Sequence, residues 1–376
     1  MFETLQTDLT QMQIGPYHPL VPQGLKLRVA LDGERISNVL LETGLHHRGL
    51  EKAMERQSWA AGIMYADRLD PEAAASGELA FCLAVEKVMG LEPPLRAKAI
   101  RLILTELNRV SSHLGFLARM ARAVSATTAL HFILRDRERL LDLFELLTGA
   151  RYSFCFLRFG GVSADVTDGF IERVLEVCDL IRMRLKEYND LLTFNQAFLL
   201  RVKGQGVISR ELAERFNLSG PNARASGLNR DVRKNHPYSG YDRYDLTNPL
   251  DVISEGGTDS GDTHRRVLIR ILEIEQSIDL LRQITDKLPS GEFQTPLKRE
   301  PLCVPEGEGF SEVESPRGRL VCHVVSEGGK TPARVHFQGP SVFSLATFNR
   351  VCVGERLEDL SVIMAGLDIS VSEVDK

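Results

Sequence analysis

Apolar residues recur at helical spacing through the middle of the chain. Ile100, Ile103, Leu104, Leu107, Val110, Leu114 and Leu117 fall at i, i+3, i+4, i+7 intervals, which predicts one long helix over residues 96–122 with a single buried stripe. Ile171, Leu175, Cys178, Ile181, Leu185, Tyr188 and Leu192 repeat the pattern over 165–194. Further helices are expected over 73–89, 130–156 and 262–288, with a break at Arg158-Phe-Gly160-Gly161. Several long helices joined by short breaks describe a bundle-like α core.

The period shortens to two near both ends of the chain. Residues 14–41 read as a β-hairpin: Leu25-Lys-Leu-Arg-Val-Ala alternates, Asp32-Gly33 supplies the turn, and Ile36 to Leu41 returns. Small β structure is expected over 319–325 and 333–338 around Gly328-Gly329, followed by short helices over 343–350 and 355–365 and an exposed tail from Asp368. Residues 201–261 are rich in Gly, Ser, Asn, Arg and Tyr, with one short helix at 211–216. They are too long for a simple connector, which marks a functional or interfacial segment. The class is mainly α with small β parts (α+β). One integrated domain contains an N-terminal hairpin region (1–50), a helical core (51–200), an irregular interface region (201–261) and a last long helix with a small β/α region (262–376).

Composition narrows the function. A net charge of −5 gives no basic surface for nucleic acid. Arginine makes up 35 of the 46 basic residues, a choice that suits buried and interfacial ion pairs, although a GC-rich genome gives the same bias. No apolar run reaches the roughly 20 residues that cross a bilayer. Met1 to Met12 is polar and acidic, unlike a signal peptide. The six scattered cysteines form no C-x-x-C pair and are expected to be reduced and mostly buried, as in a cytoplasmic protein.

Candidate chemistry concentrates between Glu42 and Asp70, where His46-His47-Arg48 and Asp67-Arg68-Leu69-Asp70 bracket a short helical run. His18 stands ahead of it in Gly15-Pro16-Tyr17-His18-Pro19, a turn stiffened by two prolines. These groups can exchange protons or hold a polar headgroup. They could equally form an ion-pair network tying the hairpin to the bundle. Other chemistries lack their motifs. Adjacent histidines on a helix point about 100° apart and cannot share one ion. No H-E-x-x-H, G-x-S-x-G or G-x-x-x-x-G-K occurs, and Gly204-Gln-Gly206 is not a dinucleotide fingerprint. His113 is expected to be a satisfied core histidine, and the run Arg135-Asp-Arg-Glu-Arg a solvated or interfacial face.

Several motifs recur together in one order: Gly15-Pro-Tyr-His-Pro, Leu45-His-His-Arg-Gly-Leu-Glu-Lys, Asp67-Arg-Leu-Asp, Ala84-Val-Glu-Lys, Arg135-Asp-Arg-Glu, Gly149-Ala-Arg, Arg158-Phe-Gly-Gly-Val, Ser219-Gly-Pro, Glu314-Ser-Pro-Arg-Gly and Glu373-Val-Asp-Lys. With them the chain resembles, over nearly its whole length, the D-subunit family of proton-pumping NADH:quinone oxidoreductase, respiratory complex I. The resemblance implies a fold like the large subunit of [NiFe]-hydrogenases and a place in the peripheral arm, lining the quinone chamber. It also implies a neighbouring subunit that carries the terminal iron–sulfur cluster, membrane-arm partners, and a peripheral position on the cytoplasmic side of the inner membrane. NADH, flavin and the other clusters belong to other subunits. Quinone is then a substrate, and no cofactor is bound directly.

Carried over position by position, the resemblance makes His18, His47, Arg48, Asp67, Arg68 and Asp70 quinone-pocket candidates and places Arg151 and Arg158 near the cluster. No catalytic residue is certain. The two nickel-binding C-x-x-C pairs of the hydrogenases fall at Asp70-Pro71-Glu72-Ala73 and Asp368-Ile-Ser-Val-Ser-Glu373, without thiolates, so no metal is expected. Departures from the family also touch the quinone site. Pro22-Gln23 stands where a second histidine is expected, Pro71 at the headgroup tyrosine, Ala123 near an acid and Ser153 at a histidine near the cluster. Two readings follow: a quinone-reducing subunit, or a metal-free coupling or scaffold subunit of a hydrogenase-related membrane complex.

Overall fold

In a computed structural model, residues 9–19, 21–253, 261–297 and 302–376 are described. Part of the polar N-terminal stretch and of the segment before residue 261 therefore lies outside the described residues. The chain is mainly helical with three small antiparallel sheets.

The predicted hairpin is β2 (Lys26–Asp32) and β3 (Arg35–Glu42), and it gains an unpredicted outer strand, β1 (Thr10–Ile14), with Met12 opposite Val29. Two short helices, α1 (Leu50–Glu55) and α2 (Trp59–Ala66), lead to α3 (Ala74–Met89) and α4 (Leu95–Ala123). One buried stripe was expected on α4. Instead almost every side chain from Ala97 to Met120 is buried, including Arg101, Glu106 and Arg109, because neighbouring helices cover it on several sides. Charges placed there must pair internally.

The next helix, α5 (Thr127–Thr148), stops short of the expected residue 156. Gly149 takes a left-handed conformation (φ 81°) that ends the helix, and the Ala150 N–H turns back to Thr148 Oγ1 (3.1 Å). The charge run on α5 is only partly solvated: Asp136 is buried, accepting the Tyr188 hydroxyl at 2.6 Å, and Arg137 donates to the Ser111 carbonyl. After the two-residue strands β4 (Leu157–Arg158) and β5 (Gly161–Val162), α6 (Phe170–Tyr188) begins five residues later than expected, behind Gly169, and runs into a π-helical turn at Asn189–Thr193.

The irregular region folds into short helices α7 (Gln196–Val202), α8 (Arg210–Arg215), α9 (Gly220–Ala225), α10 (Val232–Asn235) and α11 (Pro249–Ile253). Much of it is interior, with Asn222, Arg224 and Arg233 buried. The last long helix, α12 (Thr263–Asp286), is capped by the Asp262 carboxylate, which accepts from the Arg265 N–H at 2.8 Å. The C-terminal sheet contains the expected pair, β7 (Gly318–Glu327) and β8 (Arg334–Gln338), plus the unpredicted β6 (Glu306–Ser315) on the other side of β7. Helices α13 (Ser341–Cys352), α14 (Leu360–Leu367) and α15 (Val371–Val374) complete the fold.

The tail was expected to be exposed, but Asp368, Ile369, Ser370, Val371, Glu373 and Asp375 are all buried. Their charges and hydroxyls bind the interior, so polarity alone gave the wrong surface assignment. Of the cysteines, Cys82, Cys178, Cys322 and Cys352 are buried, Cys155 is half-buried and Cys303 is exposed. Two apolar cores result. The larger unites the long helices and the C-terminal sheet. The smaller packs the N-terminal sheet against α13, α14 and the chain end.

Candidate functional site

A cavity of about 450 Å³ opens where the two cores meet. The turn after β1 contributes His18, Val21 and Gln23, and the start of the α2–α3 connection contributes Asp70, Pro71 and Glu72. The end of α4 adds Arg119, Arg122 and Ala123. Arg317 comes from the β6–β7 turn, and Met364, Asp368 and Ser372 from the C-terminal segment. Thus His18 and Asp70 meet in space, 52 positions apart in sequence, together with the divergent positions Pro22, Gln23, Pro71 and Ala123. A more apolar cavity of about 630 Å³ adjoins it, and His18, Val21, Ser361 and Met364 line both.

Arginine organises the polar wall. Arg317 pairs with Asp70, donates to Glu72 at 2.8 Å and donates to the Asp368 carbonyl at 2.9 Å. Arg119 bridges Glu72 and Asp368, both at 2.7 Å. Arg270 lies 3.7 Å from Asp368, with its guanidinium 3.9 Å above the Phe116 ring. Burial opposes a charge on Asp368, but Arg317, Arg119 and Arg270 outweigh it and hold its carboxyl well below the usual range. At Asp70 burial wins: despite Arg317, its carboxyl is pushed up, helped by the nearby charges of Glu72 and Asp368. Glu373 is fully buried, and burial first and the Asp70 charge second raise it to about 7.

The other sequence candidates do not line this cavity. Asp70 alone of the Asp67-Arg68-Leu69-Asp70 motif reaches it. Asp67 is fully buried and turns the opposite way, accepting the Cys155 N–H at 3.1 Å and Arg68 at 2.9 Å. Beside it, Glu78 accepts the Phe156 and Leu157 amides at 2.9 and 2.8 Å. Burial raises Asp67 to about 6 and Glu78 to about 8, the latter also through the Asp67 charge. These two carboxyls hold the 153–157 loop, where Ser153 and Cys155 have positive φ.

His46 and His47 lie in a loop before α1, not on a helix. That loop is tied to the chain end: the Gly44 and His46 amides donate to the Asp375 carboxylate at 2.8 and 2.9 Å, and His47 Nδ1 donates to the Asp375 carbonyl at 2.7 Å. Arg48 spans from the Arg68 carbonyl to the Ser372 carbonyl. Arg151 pairs with the α5 acids Glu138, Asp142 and Glu145, and Arg158 donates to the Cys155 and Leu157 carbonyls. Sequence reasoning missed Arg119, Arg122 and Arg317. A usable signal existed, since Arg119 sits one turn before Ala123 and Arg317 lies within Glu314-Ser-Pro-Arg-Gly.

Among the described residues no group of three or more His, Cys, Asp or Glu side chains is arranged to hold a metal ion. Asp70, Glu72 and Asp368 face guanidinium groups. Among the described residues no helix is long and apolar enough to cross a membrane.

A long-helix core, small antiparallel sheets and a cavity walled by acids and arginines define a mainly α protein with small β parts. The sequence model of the family described as "Respiratory-chain NADH dehydrogenase, 49 Kd subunit" matches residues 123–301 and 296–376, and the chain belongs to that family. Curated relatives agree over full length. The NADH-quinone oxidoreductase D subunit of Desulforamulus reducens is 38% identical over 372 residues, covering 99% of this chain and all of the relative. The D 2 subunit of the Rhizobium etli enzyme is 38% identical over 399 residues, covering 100% and 97%. The D subunit of the Bacillus cereus enzyme is 36% identical over 371 residues, covering 99% and 100%.

Proposed function

We propose that the chain is the subunit of a proton-pumping NADH:quinone oxidoreductase that lines its quinone-reduction chamber. It sits in the peripheral arm on the cytoplasmic side of the membrane, beside a partner that holds the terminal iron–sulfur cluster, and contacts membrane-arm subunits. The observation that carries this reading is the convergence of His18 and Asp70 on one cavity of headgroup size, continuous with an apolar one. The cavity's polar end binds the quinone carbonyls, and the adjoining apolar space receives its hydrocarbon tail. Asp67, Arg68, Arg151 and Arg158 lie toward the cluster-bearing partner, and His47 and Arg48 brace the chain end behind the cavity. Quinone and electrons are supplied by the assembly, so the chain alone turns over nothing.

The test is His18→Ala in the purified assembly. Quinone reduction is expected to fall at least about tenfold, while NADH oxidation with a soluble acceptor that draws electrons upstream is unchanged. Unaltered quinone turnover would remove His18 from the site. A second reading, a metal-free coupling or scaffold subunit, is favoured by Pro71, which has no hydroxyl to offer a headgroup, and by the ion pairs that occupy the polar wall. Under that reading the wild-type assembly reduces no quinone.

A further inference from the structure

We propose that Arg122 binds a quinone oxygen in the cavity and stabilises the negative charge that gathers there as electrons arrive, an inference that rests on the functional reading above. Reduction adds two electrons from the partner's iron–sulfur centre and two protons from water at the cavity mouth, and it yields a quinol. After an electron arrives and before a proton does, the headgroup oxygen is negative. A fixed cation in contact with that oxygen lowers the energy of this state.

The charges on the cavity wall leave one cation over. Arg317 pairs with Asp70 and donates to Glu72 at 2.8 Å, and Arg119 donates to Glu72 and Asp368, each at 2.7 Å. Beyond them, Arg270 lies 3.7 Å from Asp368 and Arg137 lies 4.0 Å from Glu72. Each acid lining the cavity is therefore already engaged by a guanidinium. Arg122 lines the same cavity from the last turn of α4, one turn beyond Arg119. Its backbone carbonyl accepts the Ser125 N–H at 3.0 Å, but among the described residues its side chain makes no hydrogen bond, ion pair or ring contact.

Nothing beside it replaces that charge. Ala123, the next residue and also on the wall, carries only a methyl group. Gln23 offers a neutral amide, and Pro71 has no side-chain donor. The Arg122 guanidinium presents paired N–H donors, and a hydrogen bond from it strengthens when the accepting oxygen becomes charged. That difference speeds the reaction, because the charged state gains more than the bound ground state. Arginine keeps its proton at all working pH values, so Arg122 holds charge and transfers nothing. A cation in the last turn of a helix also complements the helix dipole, a structural role that the experiment separates from this one.

Arg122→Gln in the purified assembly tests the assignment. It should lower kcat for quinone reduction by roughly 10- to 100-fold and change KM by less than about threefold. The loss should be equal from about pH 6 to 8, because a guanidinium does not titrate there. NADH oxidation with a soluble acceptor that draws electrons upstream should be unchanged, which also shows that the assembly is intact. Arg122→Lys keeps a cation and should recover part of the rate. In Arg122→Ala, millimolar guanidinium added to the assay should restore turnover, which a role confined to the helix end would not allow. A wild-type kcat in Arg122→Gln, or no gain from guanidinium in Arg122→Ala, overturns the Arg122 assignment while quinone turnover by the wild type keeps the functional reading intact. A wild-type assembly that reduces no quinone overturns that reading and, with it, the role of Arg122.

Discussion

Two buried charge clusters built from similar parts lie along the contact between α4 and α12. One is sealed. Glu106 accepts from Arg109 (3.2 Å), Arg233 (3.3 Å), the Tyr241 hydroxyl (2.5 Å) and the Ser277 hydroxyl (2.6 Å), and nearby Arg224 binds Glu273 and Glu314 at 2.8 and 2.9 Å. His113 joins it through Nε2 and Glu273 at 2.9 Å; it is the core histidine expected, but only half satisfied, since its buried Nδ1 has no hydrogen-bond partner. The other cluster, around Arg317 and Asp368, has one side open to the cavity. Where Glu106 meets four donors its charge is fixed, and the cluster ties α4, α12 and β6 together. In the other, Asp368 and Glu72 are likewise held charged, while Asp70, on the cavity wall, is pushed up by burial. The contrast teaches that the partners each buried acid finds decide whether it is held charged or pushed toward its neutral form.

The largest test of that contrast is Glu106→Ala, which leaves Arg109 and Arg233 buried without their shared acid. A loss of about 3–5 kcal/mol, or failure to assemble, is expected, read by chemical denaturation of the subunit or its yield in the complex. The pH dependence of this cluster has a definite sign. Burial disfavours the Glu106 charge, but Arg109 and Arg233 outweigh it and lower the carboxyl to about 2, so its stabilisation is present above pH 4.5 and lost as pH falls toward 2.

Glu78 should behave oppositely. Burial raises it to about 8, so its contribution is full below pH 4.5 and declines as pH rises through 8. Glu78→Gln keeps an acceptor for the Phe156 and Leu157 amides, and it should be more resistant than wild type to thermal unfolding above pH 8 and no more resistant near pH 5. A wild-type stability that rises between pH 6 and 8 through this group would contradict the assignment. The smallest effect is expected at the open cluster. Glu72→Gln removes a charge whose side chain is 27% exposed and whose arginine partners retain Asp70 and Asp368, so about 1 kcal/mol or less is expected in the same unfolding assay. A loss as large as that of Glu106→Ala would erase the distinction between the two clusters.

Hairpins and long helices were legible because each is encoded by local periodicity and turn chemistry. The strands that each sheet added were not. β1 is exposed along most of its length, and β6 carries glycines and glutamates through much of its span, so neither shows the alternation that marks a half-buried strand. Their pairing is decided by the hairpin edge already in place. The site was half legible. His18 and Asp70 were found through motifs, but Arg317 and Arg119 were found only when the fold joined the β6–β7 turn to the end of α4. Asp67 and Asp70 show the limit most clearly: three residues apart in one motif, they face opposite ways, one toward the 153–157 loop and the other toward the cavity.

By itself, the sequence determined the α+β class, the five long helices and the family. Those follow from residue identity and spacing along one chain. Tertiary structure decided that the polar tail is interior and that Asp70, Glu72 and Asp368 face Arg317, Arg119 and Arg270. These outcomes depend on which charges meet across hundreds of residues. The cost of burying each charge is set by the partners it finds there, and local sequence carries no record of them.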